Sequence, residues 1–183
     1  AGDNNGFQSG AANAYASDGV YATDASSGTS TSTSCTNNGK DKHNFYNYNL
    51  GVPTGAPING IEVRLDARVS STLLTARKMC VQLSWNGGSS WTSALSTSTL
   101  STSLRTYTLG GTTNTWGRTW SAAELSNSNF RVRVIDVASS TSLTFYLDWV
   151  AVRVTYGDGT RPVVSAFTVP STSSSLTVPI TSF

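Results

Sequence analysis

Charge is scarce in this 183-residue chain. Asp, Glu, Lys and Arg make up 12% of it, about half of the ~25% usual in soluble proteins. Glu occurs twice and Lys three times, which excludes a coiled coil or a helical bundle, whose surfaces need both in bulk. Twelve basic residues against ten acidic leave a net charge of +2. The nearest approach to a basic cluster, Lys40-Asp41-Lys42-His43, is interrupted by an acid. Nucleic-acid binding needs clustered Lys and Arg to displace counterions, so it is not expected. Long apolar runs are missing too, and with them any ~20-residue helical membrane span. The single His43 and two cysteines lack the spacing of a zinc site. A Ser-His-Asp triad would rest on His43 alone, in a loop where it reads as exposed, and no strand-turn-helix elbow frames any Ser. Glu62 and Asp66 alternate with Arg along one strand and read as salt pairs, not as an acid/base couple. The chain is therefore expected to be non-catalytic.

What is abundant points to β structure. Five Trp, seven Tyr and six Phe supply enough apolar area for a packed core. Ile61 to Val69 alternates apolar and charged residues without a break, the mark of a strand with one face on a core. Met79, Val81, Leu83 and Trp85 form a second inward set, and Phe130, Val132 and Val134 a third. Leu143 to Tyr156 reads as a long fourth strand whose phase shifts at Asp148-Trp149, which predicts a bulge carrying a backbone-bonded carboxylate. Shorter strands are expected at Gly19 to Thr23, Phe45 to Leu50, Trp91 to Leu95 and Tyr107 to Leu109. Trp85 and Trp149 are expected in the core. Asn86-Gly87-Gly88 is a hairpin signal. Ser121 with Glu124 three positions on has the spacing of a capping box, so one short helical turn is expected there and no longer helix. Many short strands separated by Gly, Ser and Asn turns mean an all-β sandwich, here of jelly-roll type, over 1–156. Residues 157–183 read as a linker and an extended β tail.

Three sets of candidate functional residues stand out. Cys35 and Cys80 are 45 positions apart and are either a disulfide or two buried thiols. Low charge and roughly 30% Ser plus Thr suit an extracellular chain, in which such a pair is oxidised. Ala1 suits the small-residue cut site of a signal peptidase. The Ser/Thr run 26–34 reads as a surface loop open to O-linked sugars. Asp3 and Asn5, with Asp18 and Asp24 in nearby loops, offer the hard oxygen ligands that Ca²⁺ takes, and the same residues are ordinary turn formers. Tyr46 and Tyr48 alternate with Asn, and Trp116 and Trp120 flank Arg118. Flat rings at a sandwich edge can stack on sugar faces, so these four form a candidate sugar platform; the other reading of Tyr46, Tyr48 and Trp116 is that they pack in the core.

Two resemblances accompany these readings. Ser84-Trp85-Asn86-Gly87-Gly88-Ser89-Ser90-Trp91 resembles the Asp-box hairpin that repeats in sialidase-like propellers. Here it occurs once, with Asn for the usual Asp, which leaves a tight hairpin with its Trp under the turn. Ile58 to Val63, Val81 to Gly88, Trp116 to Trp120 and Phe130 to Val134 together resemble a β-jelly-roll module of large secreted bacterial surface proteins, over Gly2 to Tyr156. Pro162 to Pro170 and Leu176 to Phe183 resemble the opening of a bacterial Ig-like repeat. The resemblance implies an extracellular, non-catalytic role and assigns no functional residue. On this reading the chain is a subunit of a self-assembling surface structure or filament. Its tail residues Phe167, Val169, Leu176, Val178 and Ile180 present one apolar face to another copy of the chain. The alternative is a carbohydrate-binding module of a larger secreted protein, with a polysaccharide as partner.

Overall fold

The computed structural model describes residues 6–73 and 76–157. The calcium candidates Asp3 and Asn5 and the tail residues Phe167, Val169, Leu176, Val178 and Ile180 lie outside them.

Among the described residues, eight strands form two four-stranded sheets, a jelly-roll sandwich. They are β1 (Ala22–Asp24), β2 (Lys42–Phe45), β3 (Ile58–Val69), β4 (Arg77–Ser84), β5 (Leu95–Ser96), β6 (Arg105–Gly110), β7 (Arg131–Ala138) and β8 (Phe145–Tyr156). The first sheet runs β1-β8-β3-β6 and the second β2-β7-β4-β5. Every pairing is antiparallel. Helix is limited to single 3₁₀ turns at Ala11–Ala14 and Ala122–Leu125 among the described residues. At the second, the Glu124 carboxylate accepts from both the backbone N–H and the hydroxyl of Ser121. No helix of the described residues is long and apolar enough to cross a membrane.

Alternation places the core as expected. Ile61, Val63, Leu65, Met79, Val81, Leu83, Phe130, Val132 and Val134 are all buried in one cluster shared by both sheets. Burying each such side chain is worth ~1.5–3 kcal/mol. The predicted bulge is present: Asp66 pairs with Trp149 and Ala67 with Leu147, so Asp148 is skipped. Its carboxylate accepts a 2.8 Å hydrogen bond from the Gly19 N–H. The skipped residue also corrects one expectation. Trp149 is turned to the outer face, where the Arg64 guanidinium lies 4.8 Å over its ring. Glu62 and Asp66 form the expected ion pairs, with Arg153 and Arg64.

Other short elements differ from the expectation. Phe45 to Leu50 is not a strand: β2 stops at Phe45, and Asn47 and Asn49 take left-handed φ values of 65° and 52° that no sheet ladder accommodates. Trp91 to Leu95 leaves only Leu95 in β5. His43 is half-buried, its ring against Phe7 and Phe45, and burial holds its pKa below the ordinary value.

The second sheet has a covered half. Val132 and Val134 point inward from β7, while Ile135 and Val137 belong to a separate outer cluster with Cys80, Cys35 and Ala94. The Ser/Thr loop between β1 and β2 supplies that cover. A disulfide joins its Cys35 to Cys80 in β4, with the Cα atoms 5.8 Å apart.

Candidate functional site

The β4–β5 hairpin builds one wall of an open cleft. Ser84 Oγ accepts from the Gly88 N–H at 2.8 Å and donates to Asn86 Oδ1 at 3.1 Å. Asn86 Oδ1 also accepts from the Ser90 N–H at 2.8 Å. These bonds tie the turn so that Trp85 and Trp91 emerge from its two ends. Both rings are half-buried.

The opposite wall is the loop after β6. Gly110 and Gly117 have φ of 79° and 77°, and Trp116 itself stands at φ 57°, a strained state for a large residue. Two bonds hold it there. The Trp116 Nε1–H donates 2.9 Å to the Ile61 carbonyl, and its backbone N–H donates 2.8 Å to Asn114 Oδ1. The ring becomes the buried floor of the cleft, and the loop carries Asn114 and Arg118 to its rim. Trp85, Trp91, Thr92, Ser93, Leu95, Asn114, Trp116, Gly117 and Arg118 enclose about 380 Å³.

Arg118 organises the aromatic end. Its guanidinium lies 4.1 Å from the Trp85 ring centre and 4.5 Å from that of Trp120. It is also ion-paired to Glu124 at 2.7 Å. Each stack adds about 0.5–2 kcal/mol. Burial pushes the Glu124 carboxyl up, but the hydrogen bonds from Arg118 and Ser121 outweigh it, so its pKa lies below the ordinary carboxylate value. The pair is charged and internally neutral, and fixes Trp85 at the cleft mouth.

The four rings of the candidate platform do not share an open face, and Trp116 and Tyr48 follow the core reading. Trp116 and Trp120 are 5% and 4% exposed. Trp120 stands edge-on to Trp85 and Phe130, and Tyr48 edge-on to Phe130. The Tyr48 hydroxyl is buried without a hydrogen-bond partner among the described residues, and burial pushes its pKa well above the ordinary value. Only Tyr46 is open, 46% exposed. The cleft instead uses Trp85, expected in the core, and Trp91, which the sequence places at the end of the hairpin motif and the start of a short strand with no sign of a binding role.

The calcium candidates are also separated in role. Asp18 is exposed and accepts from the Val20 N–H, an ordinary turn bond. Asp24 is buried and accepts from the Gln8 amide and the Ser26 N–H. Asp41 and Asp136 are buried with Lys40 in the interior. The Lys40 ammonium donates to the Ser30 and Ala138 carbonyls. Burial, then the charge of Asp24 and a hydrogen bond to it, push the Asp136 carboxyl well up. Among the described residues, no three Asp, Glu, His or Cys side chains are arranged to hold a metal ion.

No protein-family model matches the sequence, and no curated protein matches it. A solved structure described as "CBM4 structure and function" is similar over 56% of this chain and 67% of its own, at 17% identity and a TM-score of 0.35. A likeness of that degree carries no functional argument.

Proposed function

We propose that this chain is a non-catalytic carbohydrate-binding module that takes a polysaccharide in the Trp85–Trp91 cleft. The observation that carries the reading is the composition of that cleft. Two half-exposed indoles share the cleft with the polar side chains of Ser93 and Asn114 and the ion-paired Arg118, over a fixed apolar floor. A sugar ring has one apolar C–H face and an equatorial belt of hydroxyls. The indoles match the first, and the polar side chains match the second. The disulfide supports an extracellular setting, where polysaccharides are met.

Retardation in native gels cast with soluble polysaccharides tests this. At least one glycan is expected to retard the protein. Trp91→Ala is expected to weaken that binding by about tenfold or more, as central aromatic anchors do. If Trp91→Ala folds and binds its glycan as tightly as the parent chain, the cleft is not the site.

A further inference from the structure

The outer face of the second sheet has an open half beside its covered one. β7 places Arg131 and Arg133 there, and the register sets Asn44 of β2 and Gln82 of β4 on either side of Arg133. Lys42 lies further along β2, opposite Ile135. Ion pairs among the described residues join Arg64 to Asp66, Arg118 to Glu124 and Arg153 to Glu62. Lys42, Arg131 and Arg133 take part in none of them. Of the acids among the described residues, Glu62 and Asp66 belong to the other sheet, Glu124 is paired to Arg118, Asp18 accepts from the Val20 N–H before β1, and Asp24, Asp41, Asp136 and Asp148 are buried.

The two guanidiniums are held in place by neutral groups. Arg133 stacks 3.5 Å over the Trp91 ring, and its Nε donates to Asn44 Oδ1 at 3.3 Å. Its terminal nitrogens make no hydrogen bond to any described residue. Arg131 lies 4.9 Å over the exposed Tyr46 ring and donates to the backbone carbonyls of Asn127, Ser128 and Phe130. Carbonyl partners orient the fork without cancelling its charge. Trp91 belongs both to this strip and to the cleft, so the two surfaces are continuous.

We infer that the ligand of this protein is an acidic polysaccharide, whose carboxylate or sulfate groups are bound by Arg133 with Arg131 and Lys42 beside it. A guanidinium fork with free terminal N–H groups fits either anion in a two-bond geometry. Arg133 is already ordered by its stack, so less freedom is lost on binding. This inference rests on the carbohydrate reading of the cleft.

The test compares each anion with its neutral parent. Polygalacturonate is set against its methyl ester, and dextran sulfate against dextran, by calorimetric titration and affinity gels. At least one charged form is expected to bind about tenfold or more tightly than its neutral parent, and added salt should erode the difference. The pair that shows the preference tells carboxylate from sulfate. Arg133→Gln should reduce the charged form to the level of the neutral one, and Arg133→Lys should restore part of the preference. Equal binding of charged and neutral forms would overturn this inference and leave the cleft reading standing. So would a preference that survives both Arg133→Gln and Arg131→Gln. Failure of every glycan, charged or neutral, would overturn both. Tighter binding of single-stranded DNA than of any acidic glycan would make the strip a phosphate surface, and the inference would fall.

Discussion

Tyr48 buries a hydroxyl that has no hydrogen-bond partner among the described residues, while its ring stands edge-on to Phe130 at 5.9 Å. The ring contributes apolar contact; the hydroxyl carries only a desolvation cost, of about 1–3 kcal/mol for a buried unsatisfied group. Tyr48→Phe keeps the contact and removes the cost, so stability to denaturant should hold or rise by about 1 kcal/mol. A fall of that size would mean that the hydroxyl is bonded. The same residue shows why the site was hard to read. The alternation Phe45-Tyr46-Asn47-Tyr48-Asn49 has the pattern of a strand with a ring-bearing face. Left-handed φ at Asn47 and Asn49 breaks that pattern, so Tyr46 is exposed and Tyr48 packs on the core. A local pattern cannot report a φ sign that longer-range packing imposes. Trp85 is half-open for a related reason: it sits one residue past the end of β4, where the inward period no longer binds it.

At the scale of elements, the long strands were legible and the short ones were not. β3, β4 and β7 each bury an unbroken alternating row, and a one-residue slip would turn every such row to water. β1, with three residues, and β5, with two, have too few positions for a period to show. The cleft loop depends on an element boundary of this kind. β6 ends at Gly110 with φ 79°, where an added Cβ would run into the Ile61 carbonyl oxygen and come within 2.8 Å of Trp116 Nε1. That carbonyl is the acceptor that holds the Trp116 indole. Gly110→Ala therefore forces apart the two groups whose bond makes the cleft floor. It is expected to cost about 2 kcal/mol or more in stability, from strain at positive φ plus the clash. Glycan affinity should fall with it. Unchanged melting and unchanged binding in this variant would show that the floor does not depend on the Gly110 backbone.

Across the whole molecule, the sandwich core and the loop that roofs the second sheet are held by different means. The core is a continuous apolar cluster between the sheets. The roof is a Ser/Thr-rich segment with little apolar area of its own, and it lies over Ile135 and Val137 through the bond from Cys35 to Cys80. It is tied further by Lys40, buried with its ammonium on the Ser30 and Ala138 carbonyls. A crosslink spanning 45 positions restricts the unfolded chain by a nominal ~3–4 kcal/mol. Replacing both cysteines with Ala should lower stability by about that amount. The core rows of β3, β4 and β7 do not depend on the bond, so the β-sheet circular dichroism signal should remain. Release of the loop would uncover Ile135 and Val137, and binding of a hydrophobic dye should rise at temperatures well below the main transition. Full retention of stability in the double variant would mean that Lys40 and the loop's own hydrogen bonds suffice to seat it. Loss of the sheet signal would mean that the two layers fold as one unit, with the roof as necessary as the core.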